Sequence, residues 1–285
     1  MKLRPWSIGL AEVTWLKPHE QSISTLVDKL AEEIKKDGRI VHPVIADAST
    51  GLVLDGTHRV EAAAKLNLPL IPVYAVDYFS PEIELCGWGR VALTSLSMES
   101  LWKLAEPMGF HKTEGLYSVK FLWSDGKTIA VTVDDIEMSK IYQKISMLEK
   151  RLQIAGIRYV RDKDLENLVL SSTYPFGYFI RPLTKQEVYD SVLGGYRLPP
   201  KSTRHLINRR PMFLYCPLEI LREEDAERRF AEWVAGGEWV EAPAGIELDR
   251  RYDEKTLVFY REELRPLYPV KLLELVKVST PRKPL

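Results

Sequence analysis

The chain has 285 residues, in which 40 Lys and Arg balance 40 Asp and Glu. That length can bury the core of one large or two small domains, and the neutral balance supplies no overall field to draw nucleic acid or an anionic membrane surface. Its two cysteines, Cys86 and Cys216, lie far apart and form neither a metal-ligand spacing nor a disulfide framework. No signal peptide or apolar run of roughly 18–20 residues is recognisable, so a soluble protein of the reducing cytoplasm is expected.

The first expected element is a strand over 8–16, leading into KPHEQ at 17–21. Glu20 falls at a strand-to-helix junction, where a carboxylate serves as a general base, a metal ligand or a charge favoured by the helix start. Ser22 or Ser24 is expected to cap an amphipathic helix with Leu26, Leu30 and Ile34 on one stripe, ended by Asp37-Gly38. HPVIAD (42–47) and GLVLDG (51–56) read as two short apolar strands joined by a turn.

The stretch LVLDGTHRVEAAAKL (52–66) then holds an apolar run, an Asp-Gly turn and a basic pair before an Ala-rich helix. Gly56 permits the sharp turn, and Thr57 is the expected N-cap of a helix from about His58 to Leu66. Free backbone N–H groups at a helix start attract anions, and His58 and Arg59 add donors at the same place. The pattern fits a phosphate; it also fits a capped helix whose Arg59 pairs with a surface carboxylate. Asp55 is an ordinary turn residue unless the loop carries chemistry.

LPLIPVYAVDYF (68–79) is a further strand, which completes an α/β unit of about 80 residues. Trp88, between Gly87 and Gly89, suits a pocket wall or a packed core. GLYSVKFLWSDGKTIAVTV (115–133) is a hairpin turning at Asp125-Gly126, and 138–156 is a long helix. TYPFGYFIRPL (173–183) is a strand and TKQEVYDSVLGG (184–195) a capped helix. In the Pro-rich, basic loop 198–211, Ser202, Thr203, Arg204 and His205 resemble a second helix start with hydroxyls and cationic groups, a second candidate anion site. From about 222 the composition shifts to a charged amphipathic helix, then mixed sequence and a basic tail.

PHEQ, HPVIAD and LDGTHRVEAAAKL together resemble the ParB/sulfiredoxin-like fold, whose phosphate-binding loop contains glycine and ends in His-Arg. LKPHEQ, DGTHR, VDYFSPEIELCGW, GYFIRPLTKQEV and PPKSTRHL moreover follow the order and approximate spacing of the archaeal free L-serine kinases. The resemblance runs from about residue 12 to 220. One departure is that the ADP-dependent pattern has His-His-Arg where this chain has Thr57-His58-Arg59.

The resemblance implies a kinase that converts free L-serine to O-phospho-L-serine with ATP or ADP and Mg²⁺. It assigns Glu20 as the base that takes the serine proton and Asp55 as the acid near Mg²⁺ and the moving phosphoryl group. Gly56, Thr57, His58 and Arg59 become the nucleotide-phosphate loop. Trp88, Thr203, Arg204 and His205 become the serine pocket, with Arg204 on the carboxylate. The expected fold is α/β (α+β): a ParB/sulfiredoxin-like nucleotide domain at 1–88, a second α/β domain with the serine segment at 89–221, and a mostly helical extension at 222–285. Phe230, Trp233 and Trp239 make that extension a packing or dimer element, and the protein a monomer or homodimer.

Thr57 stands where a sulfiredoxin needs its nucleophilic cysteine. A ParB-like DNA switch needs a helix-turn-helix and a basic face, against the neutral charge and the hairpin at 115–133. The alternative from another class is a non-catalytic nucleotide-binding regulator.

Overall fold

The structure is a computed structural model that describes residues 3–134, 138–152, 154, 156–248 and 250–279. The chain forms two compact units: residues 1–84 together with 205–285, and residues 85–204.

The first unit opens with β1 (Ser7–Glu12), β2 (Lys17–Pro18), α1 (Ser24–Asp37), β3 (Arg39–Ile40), β4 (Val44–Asp47), β5 (Leu52–Asp55), α2 (Thr57–Lys65) and β6 (Leu70–Val76). Five of these strands form a mixed sheet in the order β1-β6-β4-β5-β2. Its central strands read as unbroken apolar runs because both faces are covered: Val44, Ala46, Val53 and Val73 have no exposed surface. Leu10, Val27, Ala31, Ile34, Val60, Ala62 and Ala63 join them in one core. Burying each Val or Leu side chain there is worth about 1.5–3 kcal/mol.

The chain then passes through β7 (Ile83–Cys86) into the second unit, which holds β8 (Trp88–Ala92), α3 (Met98–Ala105), β9 (Phe110–Lys112), β10 (Val119–Trp123), β11 (Thr128–Val133), α4 (Met138–Arg151), β12 (Arg158–Arg161), α5 (Asp162–Leu170), β13 (Phe176–Ile180) and α6 (Lys185–Leu193). Six strands form an antiparallel sheet in the order β12-β8-β13-β10-β11-β9. The expected hairpin is β10–β11, turning where Gly126 takes φ 83°. Thr184 caps α6 through a reciprocal capping box with Glu187.

After β14 (Arg204–Ile207) the chain returns with β15 (Arg210–Met212), β16 (Cys216–Pro217), α7 (Ala226–Ala235), β17 (Glu238–Ala242), β18 (Thr256–Tyr260) and α8 (Val270–Ser279). β16 pairs with β3 through Cys216 and Ile40, and Leu214, Leu221, Phe230 and Phe259 enter the first unit's core.

Several expectations change. Residue 221 is not a boundary: the segment after 222 packs with 205–221 into the first unit, and it mixes helix with β17 and β18 instead of being mostly helical. The changeover falls after Glu84, not at 88, because the contacts of Leu85–Arg204 are mostly among themselves. The first strand stops at Glu12 and gives way to a 3-10 turn at Val13–Trp15. Neither Ser22 nor Ser24 caps α1; Ile23 holds the cap position without a side-chain bond. The helix expected over 138–156 ends at Arg151, and residues 153 and 155 lie outside the described set, as does the basic tail at 280–285. Ser202–His205 leads into strand β14, not a helix.

Candidate active site

The parallel pairing of β2 with β5 aligns Lys17 with Leu52 and Pro18 with Val53. Directly after β2, the buried His19 ring is held by a 2.5 Å hydrogen bond between Nδ1 and the Val53 carbonyl, and its Nε2 lies 3.8 Å from Glu20 Oε1. His19 also meets the ring of His205 edge-on at 5.2 Å, and His205 Nε2 lies 3.3 Å from the Tyr78 hydroxyl. Burial and the neighbouring His19 push the His205 imidazole well below its usual range, so it is neutral.

At the end of β5 the chain turns through Gly56, which takes φ +108° and is itself the helix N-cap. Thr57, the expected cap, is instead the first residue of α2 and is buried. A Cβ on Gly56 would sit 2.8 Å from Arg59 Nε and Nη2, so only glycine lets Arg59 fold back over the turn. As a glycine, the N-cap makes no side-chain cap bond of its own, and a helix start of this kind attracts anions. His58 Nε2 accepts from the Ile23 N–H at 3.2 Å and so ties the start of α1 to that of α2.

Asp55 stands at the centre of an arginine cluster. Arg210 donates to its Oδ2 through Nη1; Arg59 Nη2 lies 3.4 Å from Oδ1, and Arg250 Nη2 lies 3.6 Å from Oδ2. Burial works against this carboxylate's charge, but the three guanidiniums outweigh it and hold its pKa far below the usual carboxylate range. Arg210 is itself buried and pairs through Nε with Glu254 at 3.0 Å. A pocket of about 300 Å³ opens on this cluster, lined by Asp55, His58, Arg59, Arg210 and Arg250 with apolar walls that include Met212 and Tyr252. Cationic groups at a helix start, backed by apolar surface, suit a nucleotide's phosphates and base.

The second unit gathers Trp88, Thr203 and Arg204. Trp88 Nε1 donates to the Thr203 carbonyl at 2.8 Å, and the Arg204 guanidinium lies 5.7 Å from the Trp88 ring centre. Lys201 Nζ sits 4.6 Å over the same ring, and Arg204 Nη1 is 3.7 Å from Asp162. Trp88 is thus an aromatic platform beneath two cations. His205, grouped with these residues in the sequence, belongs to the first unit with His19 and Tyr78.

Sequence reasoning missed Arg210, Arg250 and Tyr252. Arg210 lies inside the basic loop already singled out; Arg250 and Tyr252 sit in mixed sequence without a signal. Among the described residues no group of three or more His, Cys, Asp or Glu could hold a metal ion, and no helix is long and apolar enough to cross a membrane.

No family model matches the chain. It is 31% identical over 191 residues to a ParB-like protein of Sulfolobus acidocaldarius, covering 67% of this chain and 86% of that one. It is 28% identical over 231 residues to an ATP-dependent L-serine kinase of Staphylothermus marinus, covering 75% and 90%. A solved free serine kinase variant in complex with ADP superimposes with a TM-score of 0.61 at 20% identity, covering 76% of this chain and 95% of that one, so the fold is shared. The chain belongs to the ParB-like family, with L-serine kinases among its relatives.

Proposed function

We propose that this protein phosphorylates free L-serine to O-phospho-L-serine with ATP or ADP as donor. The observation that carries the reading is the arginine cluster on Asp55, built against the start of α2. Phosphoryl transfer has a loose transition state, so positioning and charge neutralisation do most of the work. The α2 amides, His58, Arg59 and Arg210 bind and neutralise the phosphate oxygens. Gly56 and Thr57 shape the loop that presents those amides. Glu20 orients the serine hydroxyl and accepts its proton late in the transfer.

Of the two carboxylates of this cluster, Asp55 and Glu254, Asp55 lines the pocket. Magnesium usually binds through one or two carboxylates plus substrate phosphates, and Asp55 fits that role. The ion supplies positive charge to the phosphoryl oxygens. For the amino acid, Arg204 is assigned the carboxylate, with Trp88, Thr203 and His205 as the further serine residues. In the structure Arg204 faces the Asp162 carboxylate, the same chemical group. The likeness to L-serine kinases supports the choice of acceptor.

The test is to incubate the purified protein with Mg²⁺, L-serine and either ATP or ADP, and to look for phosphoserine by mass spectrometry. Phosphoserine with one donor is expected. Tight nucleotide binding with no phosphoserine from either donor would replace this reading with a non-catalytic nucleotide-binding regulator.

A further inference from the structure

We propose that Arg250 contacts the nucleotide's phosphates directly, so that the segment after residue 222 completes the donor site of this chain. The inference rests on the reading of the Asp55 pocket as the nucleotide-phosphate site.

The segment delivers Arg250 in a fixed way. Gly245 N–H donates to the Tyr252 carbonyl at 2.7 Å, Tyr252 N–H to Ile246 at 2.9 Å, and Leu248 N–H to Arg250 at 2.9 Å. Glu247 and Arg251 form a β-bridge. Tyr252 is buried in an apolar cluster with Met212, Phe213 and Val258. Its ring centre lies 4.8 Å from the Arg250 guanidinium and 5.7 Å from that of Arg210, so one aromatic ring contacts both cations.

The Asp55 carboxylate is engaged by Arg210 and by Arg59, and the half-exposed Arg250 guanidinium lies 3.6 Å from it. The Arg59, Arg210 and Arg250 guanidiniums thus line one pocket at the positive end of α2. Arg59 Nε is buried with no hydrogen-bond partner among the described residues. A phosphate group offers several acceptor oxygens and negative charge to such donors. Arg250 lines the pocket; its neighbour Arg251 instead faces Asp253 at 3.9 Å.

Calorimetric titration of the full-length protein with ATP, ADP and adenosine tests the assignment. Arg250→Gln should weaken ATP and ADP by roughly 5- to 20-fold and leave adenosine unchanged. Arg250→Lys should fall between, because it keeps the charge but not the fork, and Arg251→Gln should bind like the wild type. In turnover, the KM for nucleotide should rise in Arg250→Gln while that for serine holds. Unchanged ATP and ADP affinity in Arg250→Gln, with wild-type binding intact, would remove Arg250 from the site and leave the kinase reading standing. An equal loss of adenosine affinity would make Arg250 a wall of the pocket and also overturn the proposal. A wild-type protein that binds neither nucleotide would overturn both readings.

Discussion

Gly56 and Arg59 act as one device. The glycine takes a left-handed conformation, and the space its missing Cβ leaves is occupied by the Arg59 guanidinium. Gly56→Ala should therefore cost about 1–2 kcal/mol of stability from backbone strain and also displace Arg59, weakening nucleotide binding. Arg59→Ala removes the contact without the strain, and a loss of about 10- to 150-fold in affinity is expected. Calorimetry on both variants decides: if Arg59→Ala binds nucleotide like the wild type, Arg59 serves only Asp55. Glu20 makes a different prediction. Glu20→Gln should keep the fold and nucleotide affinity but lose about 10²- to 10⁴-fold in turnover. Near-normal phosphoserine formation by that variant would exclude Glu20 as the base.

At the scale of elements, β4, β5, α2 and β6 were legible because each has an unambiguous pattern: short apolar runs, a turn, a 3.6-residue period. The caps were not. Thr57 is a good N-cap by composition, but the tight return of Arg59 shifts that position to Gly56, a tertiary demand on a local choice. Ser202–His205 misled for a related reason, since hydroxyl and cationic residues mark a helix start only when a helix follows, and here β14 does. Glu20, Asp55 and Arg59 could be singled out because they sit in short motifs. Arg250 was not, since its place depends on a turn ordered by the distant Tyr252 ring. The start of β14 also carries a prediction. Arg204→Lys keeps a charge near Trp88 and Asp162 but loses the planar fork, so the KM for serine should rise by about 10-fold or more while the KM for nucleotide stays. Serine amide should be a poor substrate for the wild type. If it is phosphorylated as well as serine, Arg204 does not read the carboxylate.

At the scale of the molecule, the first unit is assembled from residues more than a hundred positions apart: β16 pairs with β3, and Phe230 and Phe259 pack with Val44 and Val53. No local pattern encodes such pairings, which explains why the segment after 222 read as an extension. The same assembly buries His205 between His19 and Tyr78, with Asp55 and Arg210 also acting on it. Burial, His19 and Arg210 keep its imidazole neutral against the pull of Asp55, whereas in the unfolded chain it takes up a proton as pH falls through its usual value near 6.5. The unfolded state then binds more protons, so the native state loses stability toward acid, by about 1.4 kcal/mol per pH unit for one such group. Asp47 and Asp55 have the same sign at lower pH. Their carboxyls are held below the usual range despite burial, by Ser49, Thr50 and the Tyr78 amide for the first and by three arginines for the second. Their contribution is present above about pH 4 and is lost below it. The midpoint of thermal unfolding should thus begin to fall as pH drops through about 6.5, and fall further below about pH 4. His205→Gln should flatten the first fall and leave the second. If the variant follows the wild-type curve between pH 7.5 and 5.5, the buried imidazole is not the group that titrates there.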